Sequence, residues 1–356
     1  MLTHSGETRE EAVSLSAQLT ANGIIPLLGY SKEVTNNAAD IQHTEIETIR
    51  CIEAASSLKK PVFVAIKLSG LSFEDEMRRL EVEVHHLVSA RPARSVFVAR
   101  AREILSHYPD LVGRLERIST AAERLEVNLV VDAEIRFQGQ VDSLPASAIL
   151  CWSLNSDKAH VWNTHQMYSR LFSLLIRRIF RDSLPMLQEW CGNNSIKLVR
   201  GAYFYREPPE TVAVSKAEVD ATYDRAVEEV LTRKPNSLII ASHNHTTVVK
   251  AFRLLQQNRL VSTNRKICFA QLYGMGDDIT YGLVRELGRS GLPFSPNVSI
   301  VKYIPYGGLR DVMPYLVRRA EENRDMLRGS MLEREAYYAE IRKRMLSVLG
   351  LGLNRD

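Results

Sequence analysis

Four residues near the C-terminal end of the sequence stand where a helix puts them on one face: Tyr315, Arg318, Arg319 and Glu322, at i, i+3, i+4 and i+7. That spacing normally carries apolar core residues. Here it carries two adjacent cations, an aromatic ring and a carboxylate, with Leu316, Val317 and Ala320 between them. A solvated face held by an Arg318–Glu322 pair is the blander explanation, worth only a few tenths of a kcal/mol. Two neighbouring guanidinium groups can instead grip a carboxylate through bidentate, charge-assisted hydrogen bonds. The chemistry indicated is recognition of a small carboxylic acid.

A second stretch, "SIKLVRGAYFY" from Ser195 to Tyr205, raises a related question. It starts as a buried strand and then delivers Arg200, Gly201, Ala202 and Tyr203, a cation beside two residues with almost no side chain. Something flat lying against the backbone accounts for that pattern. Other apolar runs also end in polar groups: Lys67 and Ser69; Asp132, Ala133 and Glu134; Asn163, His165 and Gln166; His243 and Asn244; Gln271 and Tyr273, on either side of Leu272; and Tyr303. Two further chemistries fit some of these residues. His243 and His245 with Asp132 form a conceivable metal set, and Lys67 is a conceivable Schiff-base lysine or a fixed charge for an anion.

The elements that must position these groups alternate. Short apolar runs at 24–30, 61–71, 127–134, 160–166, 196–203, 237–244, 266–275 and 298–307 are separated by stretches of helical period, such as 164–189, 222–231, 246–255 and 309–323. Eight strands alternating with helices predict a parallel (β/α)8 barrel, with extra helices between strands two and three, including 75–87. One domain over 1–356 is expected, with helical extensions at both ends. A doubly wound open sheet is the alternative, but no strand leads into a G-x-G-x-x-G turn. In such a barrel the polar strand ends all face one rim, where barrel enzymes place their chemistry.

Composition narrows the field. A net charge of +4 over 356 residues, with no basic run interleaved with aromatics, argues against a nucleic-acid partner. No apolar run approaches the roughly 20 residues of a membrane span. The first 22 residues are polar, with Glu7, Glu10 and Glu11, so neither a signal peptide nor a transit peptide is expected there. Cys51, Cys151, Cys191 and Cys268 are scattered and predict reduced, buried thiols of an intracellular protein. The basic stretch 328–344 reads as a solvated final helix, with contact to an anionic membrane as the alternative.

Taken in order, "IKLS", "VVDAE", "NTHQMY", "KLVRGAY", "ASHN", "QLYGMG" and "YIPYGGLRDVMPYLVRRAEEN" resemble proline dehydrogenase of the monofunctional eukaryotic type. The likeness runs from about Ile24 to about Asn323. It implies a (β/α)8 barrel with noncovalent FAD over its C-terminal mouth, which oxidises L-proline to Δ1-pyrroline-5-carboxylate and passes electrons to a quinone. By the resemblance, Arg318 and Arg319 clamp the substrate carboxylate, Lys67 adds a positive charge, and Glu322 orients the arginines. Leu272, Tyr303 and Tyr315 wall the pyrrolidine ring. Tyr303 also disfavours a hydroxylated ring, and Asp132 positions it. The flavin falls to Asp132, Ala133, Gln166, Arg200, Gly201, Ala202, Tyr203, His243, Asn244 and Gln271, with Arg200 at its electron-rich edge and no metal required. Family members of this type carry a mitochondrial presequence and a longer segment between strands one and two. Against that pattern the sequence reads as a truncated or specialised member, mitochondrial by resemblance or cytoplasmic if Met1 is the native start. Another cyclic amine as substrate, and binding without turnover, are the remaining alternatives.

Overall fold

The computed structural model describes residues 5–33, 37–90, 92–134, 144–155, 160–168, 195–201, 203, 209, 212–233, 237–257, 265–289, 297–326, 338, 341 and 342. Eight parallel strands close into a barrel in sequence order, β1 (Ile24–Tyr30), β2 (Phe63–Ile66), β3 (Asn128–Val131), β4 (Val161–Gln166), β5 (Ser195–Val199), β6 (Leu238–Ala241), β7 (Ile267–Leu272) and β8 (Val298–Tyr306). The seam between first and last strands is long, running in register from Ile24 opposite Ile300 to Tyr30 opposite Tyr306. The expected barrel is therefore present. The expected strands two, three, five, six and seven run past the observed ends, because the polar rim residues that follow were counted with the strands although they have left the ladder. After β2 the chain tightens into a 3-10 turn, Leu68–Gly70. A side chain at Gly70 would meet the Lys32 carbonyl oxygen at 2.9 Å, so the two rim loops touch there.

Helix α1 (Arg9–Ala21) starts with a capping box. The Glu11 amide donates to Thr8 Oγ1 and the Thr8 amide to the Glu11 carboxylate, each at 3.2 Å, which satisfies otherwise orphaned donors. It packs on β1, β8 and helix α2 (Ala38–Ser56), covering the seam from outside. The extra helices between strands two and three are α3 (Glu74–Ala90), α4 (Arg94–Ser106) and α5 (Pro109–Arg124). Helix α6 (Leu144–Leu154) precedes β4. Helices α7 (Lys216–Arg233), α8 (His245–Gln257) and α9 (Asp277–Arg289) follow β5, β6 and β7. The expected helix over 164–189 begins inside β4, and its remainder lies almost wholly outside the described residues. So do Cys191 and most of 328–344.

Alternate residues of each strand point inward. Leu27, Phe63, Val130, Trp162, Ile239, Cys268 and Val301 fill the lower interior, with Phe63 and Trp162 packed edge to face at 5.5 Å. The helix after β8, α10 (Leu309–Met326), does not join the outer ring. Its Val312 and Tyr315 pack into the interior cluster, so it lies across the mouth and leaves Leu309, Met313 and Val317 exposed. Cys51, Cys151 and Cys268 are buried thiols outside any disulfide, and burial pushes the thiols of Cys51 and Cys268 up to about 12.

Candidate active site

A cavity of about 440 Å³ opens at the C-terminal mouth, in the size range of small-molecule sites. Of the residues singled out in the sequence, Lys67, Asp132, Ala133, Arg200, Gly201, Tyr203, His243, Asn244, Gln271, Leu272, Tyr303, Tyr315, Arg318 and Arg319 all line it. Gln166 stands just behind the wall, its Nε2 donating to the Glu134 carbonyl at 3.1 Å. Ala202 lies outside the described residues. Glu322 is on α10, but its side chain is likewise outside them.

Tyr303 is the centre of the substrate side. Lys67 Nζ donates to its hydroxyl at 3.1 Å, and the hydroxyl donates to Asp132 Oδ2 at 3.3 Å. The other Asp132 oxygen accepts from Lys197 Nζ. Both ammonium groups lie 5.9 Å from the Tyr303 ring centroid, one from β2 and one from β5. Burial pushes the Asp132 carboxyl up, but Lys197 and Lys67 outweigh it and hold the group below the usual carboxylate range. Burial first, and then the Asp132 charge, push the Tyr303 hydroxyl far up, so it stays a donor.

Arg318 is buried, with 6 % of its surface exposed, and both terminal nitrogens donate to the carboxylate of Glu33, the Nη1 bond being 2.6 Å. Burial alone lowers its pKa, yet the bonds to Glu33 raise it, so the guanidinium remains charged. It sits 5.1 Å over the Tyr203 ring, and Arg319 sits 5.2 Å over the Tyr315 ring. The Tyr303 and Tyr315 rings are 6.3 Å apart. Arginines, aromatic walls and Leu272 thus enclose one end of the cavity, and an anion entering there meets Lys67, Lys197, Arg318 and Arg319.

The other side is built around Arg200. Its Nη1 donates to Asp220 on α7 and its Nη2 to Thr247 Oγ1 on α8 at 2.5 Å, while its guanidinium stacks 4.5 Å over the Tyr223 ring. Thr247 in turn donates to Asp224, which Lys250 also binds at 2.8 Å. His243 is neutral at any ordinary pH. Burial, with Lys302 and Arg319 nearby, lowers it to about 3, and its Nε2 accepts the Leu272 amide at 3.0 Å. Asn244 caps α8, its Oδ1 accepting from the Thr247 amide at 3.1 Å. Gln271 Oε1 accepts from Thr280 at 3.0 Å and its Nε2 donates to the Ser242 carbonyl at 3.3 Å. Among the described residues no cluster of three His, Cys, Asp or Glu side chains could hold a metal ion, which removes support from the Asp132–His243–His245 set.

Whether a flavin suits this wall can be judged from its unpartnered groups. Thr164 Oγ1, Gln166 Oε1 and Arg200 Nε are buried without a hydrogen-bond partner, and all three come from the neighbouring strand ends of β4 and β5. Buried polar atoms are rarely left so unless a ligand completes them. Beside them Ala133, Gly201, Ala241 and Ala270 leave the wall low and flat. A planar heterocycle with donors and acceptors on its edge fits these residues.

Sequence reading missed Lys197 and Glu33, and it named Glu134 only as a polar strand end, without a role. Lys197 carries a signal, since it is a lysine inside the apolar run "SIKLV", on the same strand face as Val199, which lines the cavity. Glu33 carries none, because its partner is 285 residues away. Glu134 accepts from the Ser69 amide at 2.9 Å and from the Ser69 hydroxyl, and so ties the 3-10 turn after Lys67. Burial first, then the Glu33 charge, push its carboxyl up to about 7.

The sequence model of the family described as "Proline dehydrogenase" matches residues 12–330. The chain is 28% identical to the probable mitochondrial proline dehydrogenase of Schizosaccharomyces pombe, over 96% of this chain and 78% of that one. It is also 28% identical to the hydroxyproline dehydrogenase of Rattus norvegicus, over 96% and 80%. Among solved structures, the proline utilization A (PutA) protein of Bdellovibrio bacteriovorus inactivated by N-propargylglycine superposes with a TM-score of 0.67 at 19% identity. The match covers 90% of this chain but only 32% of the PutA chain, so the likeness is one of fold over about a third of that protein. A family match over nearly the whole sequence, on a closed eight-stranded barrel, establishes that this chain belongs to the proline dehydrogenase family and is an oxidoreductase.

Proposed function

We propose that the protein oxidises L-proline to Δ1-pyrroline-5-carboxylate with FAD as its cofactor. The observation that carries this reading is the convergence of Arg318 and Arg319 with Lys67 around a small pocket walled by Leu272, Tyr303 and Tyr315. That combination suits a compact ring bearing one carboxylate. FAD, when bound, supplies the two-electron acceptor for the hydride that leaves the ring carbon next to nitrogen. Ala133, Gln166, Arg200, Gly201, Ala202, Tyr203, His243, Asn244 and Gln271 are the residues that would hold it, with Arg200 favouring negative charge on the ring.

The chain's own side chains do the positioning. The two arginines bind the carboxylate by charge-assisted hydrogen bonds, and Arg318 exchanges Glu33 for substrate as it does so. Tyr303, fixed by Lys67 and Asp132, holds the ring at attack distance, and the apolar walls exclude water. Orientation of this kind can contribute about 7–11 kcal/mol to lowering a barrier. Tyr303 favours the unsubstituted ring over hydroxyproline, although relatives named for hydroxyproline match equally well. A quinone as final electron acceptor and a mitochondrial location belong to the same reading, the latter supported by relatives named as mitochondrial.

The test is the visible spectrum of purified protein under anaerobic conditions, before and after L-proline. A flavin band that bleaches with L-proline is expected. A flavin band indifferent to proline would redirect the reading to another cyclic amine. A protein that stays colourless after incubation with FAD would overturn it, and a borohydride-trapped adduct at Lys67 would then identify lysine chemistry.

A further inference from the structure

Gly29 is the second-last residue of β1, still inside its ladders with β2 and β8, where glycine weakens the pairing and marks a close approach of another group. Its backbone is ordinary, so conformation does not explain it. Space does. A Cβ at this position would lie 2.7 Å from the Tyr303 hydroxyl oxygen, 3.0 Å from Cζ and 3.3 Å from Cε2. All three are shorter than normal contact, and all belong to one ring. The register explains how they meet: β1 pairs with β8, with Leu27 opposite Tyr303 and Gly29 opposite Pro305. The phenol leans along β8 toward the mouth and comes to rest over Gly29.

We propose that Gly29 is a specificity-determining positioning residue, whose missing side chain lets the Tyr303 phenol lie back against β1 and so sets the width of the substrate pocket. The inference rests on the reading of Tyr303 as a wall of the proline pocket. The phenol has few ways to yield. Its hydroxyl is tied to Lys67 at 3.1 Å and to Asp132 at 3.3 Å, and behind it is the strand itself. The open side is the cavity, which Tyr303 lines and Gly29 does not. A methyl group on Gly29 therefore drives the ring into the pocket and stretches the bonds to Lys67 and Asp132. A five-membered ring loses some room. A ring with a substituent on its far carbon loses more.

The test compares FAD-loaded wild type with Gly29→Ala, Tyr303→Phe and the double variant, using L-proline and trans-4-hydroxy-L-proline as probes. Gly29→Ala is expected to raise KM for L-proline about tenfold with a smaller change in kcat, and to lower kcat/KM for the hydroxylated ring by about a further tenfold, as overpacking of a tight site does. Where the hydroxylated ring gives no turnover, its inhibition constant against L-proline replaces the rate. Tyr303→Phe removes the atom in the shortest contact, so the Gly29→Ala penalty, in KM and in Tm, should shrink in that background. Recovery of folding in the double variant after failure of the single one supports the proposal equally. An unchanged KM and probe ratio in Gly29→Ala, a penalty undiminished in the double variant, or failure of both to fold would overturn it. If wild type does not oxidise proline, the functional reading fails, but coupling of the two Tm shifts still decides whether Gly29 seats the phenol.

Discussion

The floor and the mouth of this barrel are built from the same eight strands and obey opposite rules. On the floor, Leu27, Phe63, Trp162, Ile239, Cys268 and Val301 interlock as an apolar core. Further toward the C-terminal ends of the strands, Lys67, Asp132, Lys197 and Tyr303 crowd charges and a phenol around the cavity. Burying charge is costly unless it is paired. Among the described residues, Lys67, Lys197, Arg318 and Arg319 line the cavity beside the carboxylates Asp132 and Glu33. The floor is thus made of groups that need no charge partner, whereas the mouth is made of groups that do. Four substitutions probe the difference.

On the floor, Trp162→Ala should cost about 4 kcal/mol of unfolding free energy, the range for deleting a large aromatic side chain from a core. The folded fraction should retain normal kcat/KM, and urea unfolding beside steady-state kinetics measures both. At the mouth, Arg319→Met should do the reverse, lowering kcat/KM for L-proline on the order of 100-fold, because a buried charge-assisted contact to substrate is lost. Its midpoint in urea should match or exceed that of wild type. A large loss of stability here would erase the distinction between the two regions.

Glu134 tests whether the mouth carries strain from charge burial. Its folded pKa is raised from 4.5 to about 7, so the folded state holds the proton more tightly than the unfolded chain. That contribution to stability is complete below about pH 4.5 and is lost as pH rises through about 7. His165 and His243, whose folded values are lowered to about 4 and about 3, work in the other direction and lose stability as pH falls below 6.5. Glu134→Gln keeps the bond from the Ser69 amide, reverses the other so that its Nε2 donates to the Ser69 hydroxyl, and removes only the first trend. The variant should therefore gain on wild type by on the order of 2 kcal/mol between pH 5 and pH 8. The finest probe is Lys197→Met. With its main cation gone, the Asp132 carboxyl should titrate higher, moving the acid limb of the kcat/KM profile to higher pH. An unmoved limb would mean that Lys67 alone sets the charge of Asp132.

The floor was legible in the sequence, and most of the mouth with it. Apolar runs at regular spacing give the strands, since a strand covered on both faces has little choice of residue type. Strand ends were less so: in "PVFVAIKLSGL" no turn residue precedes the 3-10 turn at Leu68–Gly70, and the close approach of Gly70 to the Lys32 carbonyl appears only in the fold. The site residues at strand ends stood out because they break an apolar pattern. Glu33 follows β1 in a polar stretch and breaks nothing, and its importance arises only when α10 crosses the mouth and delivers Arg318 to it. Arg200 lines the cavity, and its terminal nitrogens are also held by Asp220 and Thr247, partners brought in by helices whose approach no local pattern announces.

Helix α1 has a further consequence, one of timing. Because α10 lies over the mouth, α1 closes the outer ring over the β1–β8 seam. Made before β1, this helix must therefore wait for β8 before the seam beneath it can form. Through most of synthesis Ala12 and Leu19 have β1 and α2 to shelter against, but no β8. Unpaired strand edges and uncovered apolar surface are what chaperones bind and what aggregates. The α1–β1 segment is thus exposed until β8 has been made, and it is the arrival of that strand that makes it safe.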